Sequence, residues 1–245
     1  MTDRLATILL AAVVAWQGDA AFSCRQALTL GLDVSGSVDA TEYRLQLNGL
    51  ADALDSESVR RLLLRSPETP VLISIFEWSG IRHQELVLGW TAINGSDTLD
   101  AIIGRLRGRE RPRGPFTTAI GAAIRFGSEL LDQVPHCWRH TLDLSGDGKN
   151  NIGIPPSEAR RHAGRVPFTV NGLVIGGHDE RLRKSPATLL LELNDYYLRN
   201  VITGPGAFVE VASGYNDFER AMTKKLLREL AGVAVSARPS RMTNG

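Results

Sequence analysis

The sequence predicts an α/β fold, a doubly wound and mostly parallel central sheet with one antiparallel edge strand and helices on both faces. Three observations predict it. Near-continuous apolar runs of strand length alternate with capped segments of helical pattern, and that alternation implies parallel strands covered by helices. The connection at Gly80, between the apolar runs 71–78 and 84–91, is too short for a crossover, so that pair must be antiparallel. Neither an internal repeat nor an interdomain linker interrupts the 245 residues, a length that supports one full core.

The elements follow in order. Ala27 to Asp33 reads as a buried strand. Asp39-Ala40-Thr41-Glu42 is a capping box, since the Asp39 carboxylate can accept from the third-residue amide while Glu42 reaches back. A helix runs from there to about Leu54, and a shorter one covers Ser58 to Leu64 before Pro67 and Pro70. Strands at Val71 to Trp78 and Gln84 to Thr91 precede a helix over Ser96 to Leu106, capped by Ser96 or Asp97. A breaker-rich basic loop, Arg105 to Pro115, leads to a helix from about Thr118 to Leu131. Strands are expected at Trp138 to Leu144, Val166 to Ile175 and Phe208 to Ala212, with helices over Thr188 to Leu198 and Phe218 to Leu230. The tail from Ser236 is polar.

The formal charge of +1 gives no overall pull toward nucleic acid or an anionic membrane, so partner choice must come from a local site. At the N-terminus, the apolar run Leu5 to Trp16 is too short to span a bilayer, and small residues follow at Gly18-Asp19-Ala20-Ala21. This reads as a secretory signal over residues 1–21, with the mature domain at 24–235 and a flexible tail at 236–245. The alternatives are a buried N-terminal helix and lipid attachment at Cys24, for which Ala21-Phe22-Ser23 is a poor signal. The expected location is periplasmic or secreted, where two cysteines, Cys24 and Cys137, suggest one disulfide.

In sheets of this kind ligands sit beyond the C-terminal strand ends, where strand order reverses. Three oxygen-bearing segments are expected there. Asp33-Val34-Ser35-Gly36-Ser37 follows the first strand, with one carboxylate and two hydroxyls at alternate positions. Thr117-Thr118-Ala119-Ile120-Gly121 opens a helix, and Gly146-Asp147-Gly148 follows a core strand. Read singly, they are a Ser/Asp-rich turn, a helix cap and a turn. Together they form a hard-oxygen set suited to Mg²⁺, Mn²⁺ or Ca²⁺.

In order and spacing these segments resemble the metal-ion-dependent adhesion site of the von Willebrand factor type A (VWA) domain. The resemblance covers roughly Ala27 to Leu230 and implies a Rossmann-like sheet. Cys24-Arg25-Gln26-Ala27-Leu28, Glu77-Trp78-Ser79-Gly80, Gly146 to Asn151 and Gly204 to Phe208 are most similar to a group of exported bacterial A-type domains of unknown function. The implied metal ligands are Asp33, Ser35, Ser37, Thr118 and Asp147, with Mg²⁺ as the first cation and a coordination position open to a protein partner's Asp or Glu. Two departures stand out: Gly146 replaces the usual threonine before Asp147, and Thr117 replaces the usual glycine, which leaves Thr117 as a rival ligand. The resemblance also implies that the first and third core strands lie side by side, which would bring Cys24 and Cys137 within bonding reach opposite the metal edge.

An enzyme reading competes. Asp33-Val34-Ser35 and Gly146 to Asn151 also resemble the first and last motifs of haloacid-dehalogenase-type phosphatases, in which Asp33 would be the nucleophile. Ser35 stands where those enzymes carry a general acid, and Asn151 where they carry an Asp, so the proton donor is missing. No Gly-x-Ser-x-Gly elbow is present, and His136, His140, His162 and His178 are placed by no motif. The chain is therefore expected to be a non-enzymatic, cation-dependent binding module, or a scaffold with a degenerate site. Arg109, Arg111 and Arg113 of the basic loop, together with Trp78, form the expected partner-contact rim; a solvated loop and a packed tryptophan are the alternatives.

Overall fold

A computed structural model describes residues 23–111, 117–177 and 185–232. The expected signal segment, Arg113, His178 and the tail lie outside the described residues.

The strands are β1 (Gln26–Asp33), β2 (Val71–Trp78), β3 (Gln84–Ala92), β4 (His140–Gly146), β5 (Thr169–Ile175) and β6 (Val209–Ala212). The helices are α1 (Ala40–Asp55), α2 (Glu57–Leu64), α3 (Ser96–Gly108), α4 (Ile120–Leu131), α5 (Pro156–His162), α6 (Pro186–Asn200) and α7 (Phe218–Ala231). The sheet order is β3-β2-β1-β4-β5-β6, parallel except for the edge pair β2–β3. Apolar side chains of α1, α2, α3 and α7 cover one face, and those of α4, α5 and α6 cover the other. β1, β2 and β4 are buried along their whole length, which accounts for their lack of polar alternation.

The capping box is formed as expected: Asp39 Oδ1 accepts from the amides of Thr41 and Glu42, and Glu42 Oε2 accepts from the Asp39 amide. Elsewhere the boundaries move for identifiable reasons. Gly95, not Ser96 or Asp97, is the N-cap of α3, and no side chain caps it. Trp138 stays outside β4, its amide donating to Cys24 in an isolated bridge beside the cysteine pair. Val166 stays outside β5 because Asp132 Oδ1 holds the amides of Arg165 and Val166 against the end of α4. Helix α5 is not anticipated from the sequence; a proline at its first position starts its seven residues.

Cys24 and Cys137 form a disulfide with Cα atoms 4.6 Å apart, at the N-terminal ends of β1 and β4. The α7 face of the sheet also holds a buried charge cluster. Lys225 Nζ lies 2.9 Å from Asp143 Oδ2 and 2.7 Å from Glu229 Oε1, and the Asn171 amide donates to the same Glu229 oxygen at 2.7 Å.

Candidate metal centre

The strand order reverses at β1 and β4: the chain leaves β1 toward β2 on one side and β4 toward β5 on the other. A crevice opens above their C-terminal ends. Asp33 closes β1, with Ser35 and Ser37 in the loop beyond it, and Asp147 follows β4. The fold thus brings the first and third segments together.

The first loop is held from within. Asp33 Oδ1 accepts from the Ser35 amide at 2.8 Å, and the Gln46 side chain of α1 donates to the Asp33 carbonyl at 3.0 Å. The Ser35 and Ser37 hydroxyls lie 3.3 Å apart, and Ser37 donates to Asp147 Oδ1 at 2.6 Å. Thr118 does not open α4; it precedes it by two residues, because the Ala119 amide is drawn to the Ser79 carbonyl at the end of β2. Its hydroxyl faces the Asp147 loop, where a Cβ added to Gly148 would lie 3.7 Å from Thr118 Oγ1. Thr118, Ser37 and Asp147 line one cleft of about 440 Å³; Thr117 does not reach it. Leu189, Leu190 and Leu193 of α6 also line it.

Two residues that hold this geometry, Asn150 and Asn151, are not among the site residues expected from the sequence. Asn151 Oδ1 accepts from the Thr118 amide and its own amide donates to the Thr118 carbonyl, both at 2.9 Å. Asn150 Oδ1 accepts from the Gly121 amide at 3.2 Å, serving an α4 N-terminus whose own N-cap, Ala119, has no polar side chain. The signal was the polar pair directly after Asp147-Gly148. Its partners, about thirty residues away, are defined only by the fold.

The electrostatics are strained toward the neutral state. Asp33 is fully buried, and desolvation, then repulsion from Asp147, pushes its carboxyl well above the ordinary range. Burial also raises Asp147, against the hydrogen bond from Ser37. Neither carboxylate forms an ion pair with any described Lys or Arg. Asp33 Oδ2 is buried without a hydrogen-bond partner. Two carboxylates, one with an orphaned oxygen, and three hydroxyls make an oxygen-only set of the kind that hard divalent cations bind.

The expected rim is largely not a rim. Trp78 is 0% exposed and packs in the core with Phe76 and Tyr197, so it is no surface anchor. Arg109 is turned inward, its Nε and one terminal nitrogen donating to the two carboxylate oxygens of buried Glu77 at 2.9 and 2.7 Å, with Glu85 at 2.7 Å. A guanidinium so neutralised has little charge left for steering. Arg111 donates to the Val38 carbonyl at 2.6 Å and so ties the basic loop to the segment after Ser37. His140 is buried with Nε2 3.0 Å from the Val134 carbonyl. Cys24, His136 and Cys137 are grouped closely enough to hold a metal, but both sulfurs are committed to the disulfide.

Comparison with solved structures shows the same fold. A VWA protein from Catenulispora acidiphila matches with TM-score 0.56 and 14% identity, over 84% of this chain and 43% of that one. Proximal thread matrix protein 1 from the mussel byssus, in a structure with a zinc-occupied MIDAS motif, gives 0.56 and 16%, over 85% and 48%. The pilus adhesin SpaC of Lactobacillus rhamnosus gives 0.58 and 14%, over 86% and 30%. This chain therefore spans less than half the length of each of these three. No match was found among curated protein sequences. Residues 23–234 match the family model described as a protein of unknown function (DUF1194); the chain belongs to that family, and its fold is the VWA fold.

Proposed function

We propose that this protein is an exported, non-enzymatic binding module that holds a divalent cation, Mg²⁺ in the first place, and through it grips an Asp or Glu carboxylate on a protein partner. The observation that carries this reading is buried Asp33 beside half-buried Asp147, the first raised by desolvation and by repulsion from Asp147 and the second by desolvation, with Asp33 Oδ2 unpartnered and no described ion pair to offset either. A cation among Ser35, Ser37, Thr118 and these two carboxylates would relieve that cost. Five side chains leave a cation of six or more oxygen ligands at least one coordination position for an outside carboxylate. Export is supported by the disulfide and by the proposed signal at residues 1–21.

The phosphatase reading fares worse on a specific point. With Asp33 as nucleophile the site would need a general acid beside it, and the side chain there is the Ser35 hydroxyl, 3.3 Å from that of Ser37. Fold alone supplies no function, so the argument rests on the site.

Calorimetry with Mg²⁺ and Mn²⁺ on the wild type and Asp33→Ala tests the reading. One ion per chain for the wild type and none for the variant are expected; a wild type that binds neither ion rejects it. A chelator-sensitive pull-down from periplasmic extract, repeated with Asp33→Ala as bait, then tests for the protein partner.

A further inference from the structure

Helix α6 carries Tyr197, a fully buried ring laid across two glycines of the sheet. A Cβ on Gly172 of β5 would lie 2.7 Å from Tyr197 Cδ1, and one on Gly146 of β4 would lie 2.6 Å from its hydroxyl. Any other residue at either position would collide with the ring, so the two glycines form a track that delivers the phenol to the C-terminal end of β4. That same Cβ position on Gly146 is 3.1 Å from Asp33 Oδ2 and 3.5 Å from Trp78 Cζ2.

Three polar atoms around this point are buried without a hydrogen-bond partner: Tyr197 Oη, Asp33 Oδ2 and Trp78 Nε1. Native interiors rarely strand one such group, and a cluster of them asks for an explanation. The phenol and the indole are donors, and the carboxylate oxygen is an acceptor. A ring needed only to fill space would serve equally as phenylalanine, without the stranded hydroxyl.

We propose that Tyr197 is a positioning residue of the cation site, its hydroxyl donating to Asp33 Oδ2 when the cation is bound. The Ser35 amide already holds Oδ1. With both oxygens engaged, the Asp33 carboxylate is fixed in orientation. Gly146 is then the residue that makes room for a hydroxyl supplied by another element. This inference rests on the cation reading given above.

The test compares Mn²⁺ affinity of the wild type, Tyr197→Phe and Asp33→Ala by calorimetry, alongside thermal melts in chelator. Tyr197→Phe keeps the ring over Gly172, so its chelated melting temperature stays close to that of the wild type. Its Mn²⁺ affinity falls by about tenfold or more, as for other groups that orient a metal ligand. The near-ultraviolet difference signal of the tyrosines on adding cation also shrinks. Unchanged affinity in Tyr197→Phe, with binding by the wild type established, overturns the role of Tyr197 alone; no binding by the wild type overturns the cation reading as well. If Tyr197→Phe does not fold, the wild type decides: no change in its near-ultraviolet tyrosine signal on adding Mn²⁺ overturns the role of Tyr197.

Discussion

Ser37 and Asp147 stand 110 residues apart in sequence and are joined by a 2.6 Å hydrogen bond from the serine hydroxyl to Oδ1 of the carboxylate. This bond closes the crevice between β1 and β4. It also engages two of the oxygens proposed to turn toward the cation, so cation binding has to compete with it.

Asp33→Asn should stabilise the chelated protein while abolishing its response to cation. The Asp33 carboxyl is raised in the folded state, so the folded chain holds its proton more tightly than the unfolded chain does. The stability this confers is complete in acid and is lost as pH rises through the folded value. The amide removes that loss, and chelated Asp33→Asn should melt above chelated wild type near pH 8. For the wild type, Mg²⁺ at 100 times its Kd adds about 2.7 kcal/mol, which is about 5–10 °C for a chain of this size. Thermal melts with and without chelator read both effects, and an Asn variant that keeps the Mg²⁺ shift refutes the assignment.

Arg109→Met should destabilise the fold by about 3 kcal/mol, because it leaves Glu77 charged, buried and without its guanidinium. The lower end of the range for buried pairs applies, since the arginine side chain is one-fifth exposed. Urea denaturation measures the loss. A value near zero would show that water already solvates Glu77, and would return Arg109 to the rim.

These two sites differ in how far the sequence alone reveals them. Asp33, Ser35, Ser37 and Asp147 can be read because each closes or follows a strand whose apolar run is unmistakable, and strand ends define where ligands gather. The Asp39–Glu42 box can be read because all its partners lie within three residues. Arg109 and Trp78 are hidden because their environments come from elements far away in sequence: Glu77 and Glu85 for one, α6 and the glycine track for the other. A basic loop beside a ligand edge reads as a rim until the carboxylate that neutralises it is seen. Gly146 reads as a defect for a similar reason, since the hydroxyl beside it comes from Tyr197.

Stability should fall as pH rises from about 4 to about 7, through the cluster beneath α7. Burial, offset in part by Lys225, pushes the Asp143 carboxyl up to about 7, and Glu229 adds to the rise. The ordinary carboxyl value is 3.8, so the proton is held more tightly in the folded state and the slope of stability against pH is negative in that window. The full effect is on the order of 4 kcal/mol. Asp143→Asn should flatten the slope between about pH 4 and about pH 7. Urea midpoints across that range test it; a wild type that gains stability with rising pH excludes this source.

Reducing the Cys24–Cys137 bond, or replacing both cysteines with serine, should cost about 4 kcal/mol, since it releases a loop of 113 residues in the unfolded chain. Cation affinity should change little, because the bond lies at the opposite end of β1 and β4 from Asp33 and Asp147. Melting temperature and Mn²⁺ titration of the double serine variant separate the two effects.

That bond also decides how the domain would answer a mechanical load. The two central strands are riveted at one pole, so they cannot slide apart as a unit; they can only splay from the other pole, like shears about a pin. A tug delivered through a captured partner would arrive at the splaying end and peel the β1–β4 hydrogen bonds one at a time. The rivet would be reached last, and a domain yielding in that sequence keeps its strand pair in register when the load is released.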